Sequence, residues 1–481
     1  MESAHLKRII SRPEFPYVCL GLAILIGAFL RLYRLTELMP FAGDSGRDLI
    51  IVRNMLLKKE FPLLGPPTSL AWFYLGPLTY YLWAPALFLG NFHPASVAVM
   101  MALFDLGAIF LLFLLAKEFF NEKTALLASL LYAVSPFAIT QSRIPLHVFL
   151  APFFTILFFL CLHRFLKEEK NRYFFLCLLL LGVLVQIHLV TGLLFFIFAI
   201  FVIRKLSRRR LLGGGLIFLL PLVPFLIADL QNKFSMTGRI IVWVPYRILS
   251  TFGFFTLKNM ISLERIRFVV EAIVGFLEKT IMLGFTKVAL FLFAISLYFL
   301  WRKTKRERLI GGWLVLVTLL VAGLAFFLHG QPVAHYFTFL TPLIVLAVAF
   351  FLDSLIENKR LLPLGALLIS VLLVVNIVSL LKAEYLVEMP LKEQVEITRF
   401  ILNDAQGKRY EIFPPPDIVG LPEYYKNYEY LGWWLGNEPV NGKGEVIYTI
   451  YHRKTNLAPL APGDESREFS NSIVVKSPQR Q

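Results

Sequence analysis

Long apolar stretches alternate with short polar gaps over most of this chain. A helix needs roughly 20 apolar residues to cross the hydrocarbon of a bilayer, and by that measure the pattern predicts eleven spanning helices within residues 1–382. We place them near residues 16–36, 95–117, 123–141, 147–166, 173–187, 190–206, 211–230, 283–301, 308–328, 335–355 and 361–382. A hydrophobic fraction of 57% and a mean hydropathy of +0.69 exclude the soluble globular classes. The predicted fold class is therefore an all-α polytopic membrane protein.

Lys and Arg cluster in alternate gaps, and this pattern predicts the orientation of the chain. The basic gaps are residues 1–15, 117–123, 164–172, 204–210, 302–308 and 357–360. Because basic loops stay on the cytoplasmic side, we expect a plasma (inner) membrane protein with a cytoplasmic N-terminus. The net charge of +16 is then explained by these loops and by contacts with membrane lipids, without a nucleic-acid partner.

The apolar stretch 72–90 is long enough to span, but counting it as a span would place every later basic gap outside. Its breaks at Gly76-Pro77 and Pro85, with its Trp and Tyr side chains, are typical of a helix lying in the membrane interface. Residues 37–94 are therefore predicted to form one outer segment, called the first loop.

Two further segments are predicted to lie outside. The second loop, residues 231–282, has apolar residues at three- and four-residue spacing over 254–279, which predicts another interfacial helix. The C-terminal region, residues 383–481, is more polar and contains a strand-like stretch at 445–451. We expect a small outer α/β domain there, with disorder in the last ten or so residues.

The first loop carries an acidic motif, GDSGRD, at residues 43–48. A helix after its glycines places Asp44 and Asp48 one turn apart. An aspartate beside the membrane can act as a general base or bind a divalent cation. The same spacing also suits an ordinary helix cap at Asp44, with Asp48 paired to Arg47 or Arg53. No cofactor is required by the sequence, and a divalent cation at the two aspartates stays possible.

Other polar residues lie near the predicted outer ends of the helices. Arg143, between two helix ends, can hold a phosphate with its guanidinium, although snorkelling to lipid headgroups also explains an Arg there. His188 ends the fifth span, where a lone histidine is more often packed than functional. The remaining candidates are Tyr74, His147, Gln186, Asp229, Arg239, His335 and Tyr336. Their convergence on one face predicts a functional site on the outer surface.

Asp105 does not fit this outer site. It lies near the middle of the second span, where a charge is costly and is usually functional or neutralised. The sequence names no partner for it, and we expect a protonated or hydrogen-bonded structural residue.

An enzyme on the outer face has no reliable supply of nucleotides, so it must take an activated group from the membrane. A polyprenyl-phosphate sugar provides one, because its phosphate is already a leaving group. Such a reaction needs a cationic clamp for the phosphate and a carboxylate for the proton of the acceptor hydroxyl. The Asp, Arg and His residues of the outer gaps supply these groups.

The chain resembles the GT-C membrane glycosyltransferases, which include the protein O-mannosyltransferases and the lipid A aminoarabinose transferase, and above all their uncharacterised prokaryotic relatives. The resemblance covers about residues 16–355. It rests on GDSGRD (43–48), FYLGPLTYYLWAP (73–85), SPFAITQSR (135–143), QIHLVTG (186–192) and HYFTFLTPL (335–343).

The resemblance implies a catalytic or metal-associated role for Asp44. Many relatives carry an Asp-Glu pair at this point, where this chain has Asp44-Ser45, so whether Asp48 serves as the second carboxylate is open. It also implies that basic residues near the outer helix ends bind the donor phosphate. The residues that could do so are Arg143, His188, Arg239 and His335.

We therefore predict a glycosyltransferase that moves a sugar from a polyprenyl-phosphate donor to a hydroxyl of a lipid, glycan or protein, with inversion. Tyr74, His147, Gln186, Asp229 and Tyr336 are expected to contact substrate, and the aromatic cluster at 424–434 could contact the acceptor. A lipid-linked-sugar flippase is an alternative, but it needs ionisable residues through the midplane, and only Asp105 supports it. A non-catalytic envelope assembly protein is another alternative.

Overall fold

The computed structural model describes residues 14–70, 72–256, 260–382, 389–415, 423–442, 444–452 and 463–478. Most of the first basic gap, part of the segment predicted as the second interfacial helix, and the last three residues of the predicted disordered tail lie outside the described residues.

Each apolar segment predicted to span is helical. The helices up to the second loop are α1 Phe15–Leu32, α2 Leu35–Leu38, α3 Gly43–Lys58, α4 Leu78–Leu89, α5 Ala95–Phe119, α6 Glu122–Ala133, α7 Pro136–Ser142, α8 Ala151–Glu168, α9 Asn171–Ile187, α10 Leu193–Val202, α11 Arg208–Leu219 and α12 Val223–Gln231. Short 3₁₀ turns connect several of them, at His147–Leu150, Leu189–Gly192, Ile203–Lys205 and Leu220–Leu222.

The remaining helices of the bundle are α13 Ser235–Thr251, α14 Leu263–Ile281, α15 Thr286–Glu307, α16 Ile310–His329, α17 Thr341–Glu357 and α18 Leu362–Leu381, with a 3₁₀ segment at Ala334–Leu340. Among the described residues, seven helices are long and apolar enough to cross a membrane, or up to nine if two bent pairs are counted. The chain is therefore an integral membrane protein, and the count of eleven spans stays a prediction.

One helix lies at the centre of the bundle. Most residues of Ala334–Glu357, the segment that contains α17, are buried, and α17 packs against α6 and α15. By contrast, α18 is only 17% buried and lies at the periphery. The first loop and the second loop connect ends of the helices around this central segment.

Asp105 is neutralised inside the bundle by an arginine. Arg31 on α1 contacts Asp105 Oδ2 with Nε at 2.7 Å and Nη2 at 2.6 Å, and the Tyr132 hydroxyl donates to Oδ1 at 2.7 Å. Arg31 Nη1 also donates to the Ala133 carbonyl at 2.9 Å, where α6 ends before a 57° bend into α7. The sequence did not suggest Arg31 as the partner. Both carboxylate oxygens of Asp105 therefore have partners, which agrees with the predicted hydrogen-bonded structural residue.

The two predicted interfacial helices are shorter than the sequence suggested. The first is α4, Leu78–Leu89, and the second is α14, which begins at Leu263 and not near residue 254. Ser262 starts α14 by accepting from the Arg265 amide at 3.2 Å. The second loop also contains α13, a helix that the sequence analysis missed.

The C-terminal region is a small α/β unit. Its elements are α19 Leu391–Ala405, β1 Tyr410–Phe413, α20 Lys426–Trp434, β2 Val446–His452, β3 Glu465–Glu468 and β4 Ser472–Pro478. The sheet order is β1-β2-β4-β3, with β1 and β2 parallel and the other pairs antiparallel. The strand predicted at 445–451 is β2.

The prediction of disorder at the C-terminus is wrong for Ser472–Pro478. These residues form β4, which lies between β2 and β3 and pairs with both. Ile473, Val474 and Val475 are buried, because this short apolar run covers the two faces of the sheet. The polar composition around it hid the strand.

Candidate active site

The acidic motif forms the first turn of α3. Arg47 Nη1 donates to Asp44 Oδ1 at 2.8 Å, and Arg47 Nε donates to Asp48 Oδ1 at 2.8 Å. The Asp44 side chain is 58% exposed, whereas that of Asp48 is fully buried. One guanidinium therefore holds an exposed carboxylate and a buried one. Ala42 occupies the cap position, so Asp44 is not the helix cap that its spacing allowed.

Asp48 has further contacts in the core. The Tyr80 hydroxyl on α4 donates to Asp48 Oδ1 at 3.1 Å. Among the described residues, Asp48 Oδ2 accepts no hydrogen bond, and its neighbour is His147 Nδ1 at 3.9 Å. Burial and the charge of Asp48 raise the pKa of Tyr80, which keeps the hydroxyl protonated as a donor. Tyr80 was not among the residues predicted for the site, although it lies in the FYLGPLTYYLWAP motif.

Histidines from separate segments form a cluster next to Asp48. The ring centroid of His188 lies 6.5 Å from that of His147 and 5.8 Å from that of His335. Tyr336 lies 4.9 Å from His188 and 5.2 Å from His329. Four of the predicted site residues, His147, His188, His335 and Tyr336, are thus brought together. We call these residues with His329 the histidine cluster.

The hydrogen bonding of His188 defines which nitrogen carries its proton. Nδ1 accepts from the Val190 amide at 3.2 Å, so the hydrogen of the neutral ring is on Nε2. Burial lowers the pKa of His188 well below its usual value, and His147 and His335 act in the same direction. At neutral pH His188 is an uncharged donor.

Two arginines of the second loop meet at the histidine cluster. Arg247 on α13 and Arg265 on α14 donate to the His329 carbonyl at 2.8 Å and 3.0 Å. The sequence analysis did not single out either residue. The sequence indicated only that both arginines lie in a predicted outer segment. Their contact with His329 depends on the fold.

The other predicted phosphate ligands lie elsewhere. Arg143 donates to the Tyr33 carbonyl at 2.9 Å and lines an apolar cavity of about 240 Å³ that Lys279 also lines. Burial, with the charge of Arg34, lowers the pKa of Arg143 to about 10. Arg239 is exposed on α13, outside the histidine cluster.

Three predicted substrate contacts have structural partners. Both Asp229 oxygens accept backbone amides at the start of α13, from Met236 at 2.9 Å and Thr237 at 3.0 Å. Gln186 Nε2 donates to the Pro221 carbonyl at 2.7 Å. Tyr74 is 37% exposed and pairs with Pro67 through a backbone bridge. A substrate role for these three residues stays a prediction.

The C-terminal region packs directly on α3. The Glu423 carbonyl lies against Gly43 and the Asn427 amide against Gly46, so closely that a Cβ at either glycine would overlap backbone atoms. Arg53 pairs with Glu438 at 3.0 Å and its guanidinium lies 4.8 Å from the Trp433 ring centre. This close approach explains why both positions are occupied by glycine, which has no Cβ.

The aromatic cluster predicted to contact the acceptor packs largely onto the first loop. The Tyr430 hydroxyl donates to the Phe92 carbonyl at 2.7 Å, and the Trp433 ring lies 5.5 Å from that of Phe92. Trp434 lies 5.0 Å from the His93 ring. These aromatic side chains anchor the C-terminal region, which agrees with a packing role.

We expect Gly46→Ala to weaken the docking of the C-terminal region by about 1–3 kcal/mol, because the new methyl group would meet the backbone of Asn427. Thermal unfolding and protease sensitivity of the C-terminal region measure the effect. Gly215→Ala is the matched control, since a Cβ there meets open space. Equal stability of the two variants would contradict the docking geometry.

Among the described residues, no three His, Cys, Asp or Glu side chains are grouped as metal ligands. A divalent cation at Asp44 and Asp48 would therefore need ligands from substrate or water.

A family model described as dolichyl-phosphate-mannose-protein mannosyltransferase matches residues 75–228. ArnT from Cupriavidus metallidurans, bound to undecaprenyl phosphate, is similar in structure with a TM-score of 0.60 and 14% identity, over 97% of this chain and 98% of that one. No curated protein sequence matches the chain.

The oligosaccharyltransferase of Archaeoglobus fulgidus in its apo form matches with a TM-score of 0.57 and 13% identity, over 92% of this chain and 70% of that one. The archaeal oligosaccharyltransferase AglB from the same organism, in complex with an inhibitory peptide and a dolichol-phosphate, matches with a TM-score of 0.56 and 14% identity, over 90% of this chain and 69% of that one. The predicted resemblance is confirmed: the chain has the GT-C fold.

Proposed function

We propose that this chain, which has the GT-C fold, is a glycosyltransferase that moves one sugar from a polyprenyl-phosphate donor to a hydroxyl acceptor, with inversion by single displacement. The observation that carries the proposal is the contact between Asp48 and His147 at 3.9 Å. It links the acidic motif, whose exposed Asp44 is suited to take a proton, to a group of histidines and arginines suited to bind a phosphate. A glycosyl transfer needs both groups, one to accept the proton of the acceptor hydroxyl and one to bind the donor phosphate.

The donor phosphate would lie against the histidine cluster. His188 Nε2 and His335 would donate hydrogen bonds to its oxygens, and Arg247 and Arg265 would supply positive charge as the leaving phosphate becomes more negative. The prenyl chain would lie in the apolar cavity beside Arg143, which is also lined by Ala334, the chain neighbour of His335.

The acceptor would be activated at the other end of the site. Asp44 is the exposed carboxylate of the motif. Arg47 fixes its direction, because Arg47 also binds the buried Asp48, which accepts from Tyr80. Asp44 would accept the hydroxyl proton as the acceptor oxygen bonds to the anomeric carbon. The bond from that carbon to the phosphate oxygen breaks, and its electrons leave with the phosphate.

The orientation follows from the basic gaps. The ion pairs Lys205–Glu169 and Arg164–Glu118 belong to gaps that we place in the cytoplasm, at the ends of the helices away from the acidic motif. The site, the two loops and the C-terminal region would then face the outside of a plasma membrane. Residues 1–382 would form the catalytic membrane domain and residues 383–481 an outer domain.

Removal of the His188 ring tests the donor half of this proposal. We expect His188→Ala to weaken the binding of undecaprenyl phosphate by about 10-fold or more, because a hydrogen bond to a charged group is lost. Because the lowered pKa of His188 keeps its ring neutral at neutral pH, the pH dependence of binding there should follow the second ionisation of the phosphate and not this ring.

The control for this prediction is His163→Ala. His163 is also buried, but it lies near Glu118 in a gap assigned to the cytoplasmic side. This variant should bind undecaprenyl phosphate as the wild type does. Equal binding by wild type and His188→Ala would contradict the placement of the phosphate.

A further inference from the structure

Arg47 faces three carboxylates, and one of them comes from the C-terminal region. Asp44 Oδ1 and Asp48 Oδ1 each lie 2.8 Å from an Arg47 nitrogen, and Glu423 Oε1 lies 3.9 Å from Nη1. Asp44 and Glu423 thus approach the same nitrogen of the guanidinium. Three carboxylates therefore share one guanidinium, with Lys426 as a further positive charge acting on Glu423.

Backbone packing holds Glu423 in this position. Its carbonyl lies against Gly43, and four residues later the Asn427 amide lies against Gly46. Asn427 is fully buried, and its side chain donates to Gln394 on α19. The segment from Glu423 to Asn427 is therefore fixed on the first turn of α3 and anchored in the C-terminal region.

The three carboxylates differ in their access to an acceptor. The side chains of Asp44 and Glu423 are 58% and 35% exposed, whereas that of Asp48 is fully buried. Asp44 and Glu423 are therefore both open to solvent, and an acceptor hydroxyl can approach both from that side.

The surroundings of Glu423 suit a group that takes up a proton. Burial raises the pKa of Glu423, and the charges of Asp44 and Asp48 act in the same direction, while Arg47 and Lys426 act against it. A carboxyl group with a raised pKa is a stronger base when it is ionised. Asp44 is held by Arg47 at 2.8 Å, whereas Glu423 is farther from it.

We propose that Glu423 is a second catalytic carboxylate, which shares with Asp44 the proton released by the acceptor hydroxyl. The inference rests on the proposed function. The acceptor oxygen uses a lone pair to bond to the anomeric carbon, its proton passes to the Asp44–Glu423 pair, and the electrons of the broken carbon–oxygen bond leave with the phosphate. The C-terminal region is then part of the active site.

The test is sugar transfer by Glu423→Gln, which keeps the size of the side chain and removes its ability to accept the proton. We expect kcat to fall roughly 100-fold, while the binding of undecaprenyl phosphate is unchanged. In the wild type, kcat should rise with pH as Glu423 ionises, and this rise should be weaker in the variant. Glu423→Asp should restore part of the activity.

Glu438→Gln is the matched control, because Glu438 lies at the same interface, pairs with Arg53 at 3.0 Å and is 39% exposed. It should retain wild-type kcat. Wild-type kcat in Glu423→Gln would overturn the inference and leave the proposed function standing. Equal losses in Glu423→Gln and Glu423→Asp with weaker donor binding would indicate a structural role and also overturn it. No transfer by the wild type would overturn the proposed function itself.

Discussion

Asp44→Asn is expected to reduce sugar transfer by roughly 1000-fold, the contribution of a well-placed general base. Asparagine keeps the size of the side chain and can still accept a hydrogen bond from Arg47, but it cannot take the proton of the acceptor hydroxyl. Because Asp44 is exposed on α3, the variant should fold normally. Initial rates with a labelled polyprenyl-phosphate sugar measure the effect.

Asp404→Asn is the control for this experiment. Asp404 lies in the C-terminal region, where it pairs with Lys476 at 2.9 Å, away from the acidic motif. This variant should transfer sugar at the wild-type rate. Full activity in Asp44→Asn together with an inactive Asp48→Asn would contradict the assignment and would make Asp48 the base.

Asp105→Ala is expected to lower the free energy of unfolding by about 3–5 kcal/mol, because it leaves the Arg31 guanidinium buried without its counter-ion. The Tyr132 hydroxyl also loses its acceptor. The measurement is the unfolding midpoint of the purified protein in detergent. We expect the same variant to disturb the bend between α6 and α7, since Arg31 also binds the last carbonyl of α6.

The double variant Arg31→Met/Asp105→Leu separates the ion pair from the packing around it. Replacing both charges by apolar groups should recover part of the lost stability. Recovery should be incomplete, because the Ala133 carbonyl then lacks its donor. An unchanged unfolding midpoint in Asp105→Ala would contradict a buried ion pair at this position.

The sequence predicted the helices well because their apolar lengths are a local property. The sequence could not predict the side-chain contacts between these helices. Arg31 was counted inside the apolar stretch 16–36, and Asp105 lies 74 positions along the chain from it. Such a pair depends on the packing of α1 against α5 and α6. The strand at Ser472–Pro478 was missed because its apolar run is short and lies in polar surroundings, and because its partners in β2 are 20 or more residues away.

The candidate site was predicted in part. The assignment of His147, His188, His335 and Tyr336 to one face was sufficient to predict that they approach one another. Tyr80, Arg265 and Glu423 were missed, because their roles depend on contacts between the first loop, the second loop and the C-terminal region. Asp229, predicted to contact substrate, also has a local role that the sequence did not suggest, because its oxygens accept two backbone amides at the start of α13.

The central claim is that the chain transfers sugar from a lipid-phosphate donor. Its most direct test is to incubate the purified wild-type protein, in native lipid extract, with a panel of radiolabelled polyprenyl-phosphate sugars. We expect label to move from one of these donors to a hydroxyl-bearing acceptor, with inverted configuration at the anomeric carbon. If the label stays on the carrier with every donor while the lipid crosses between leaflets, the chain is a flippase and the account is wrong.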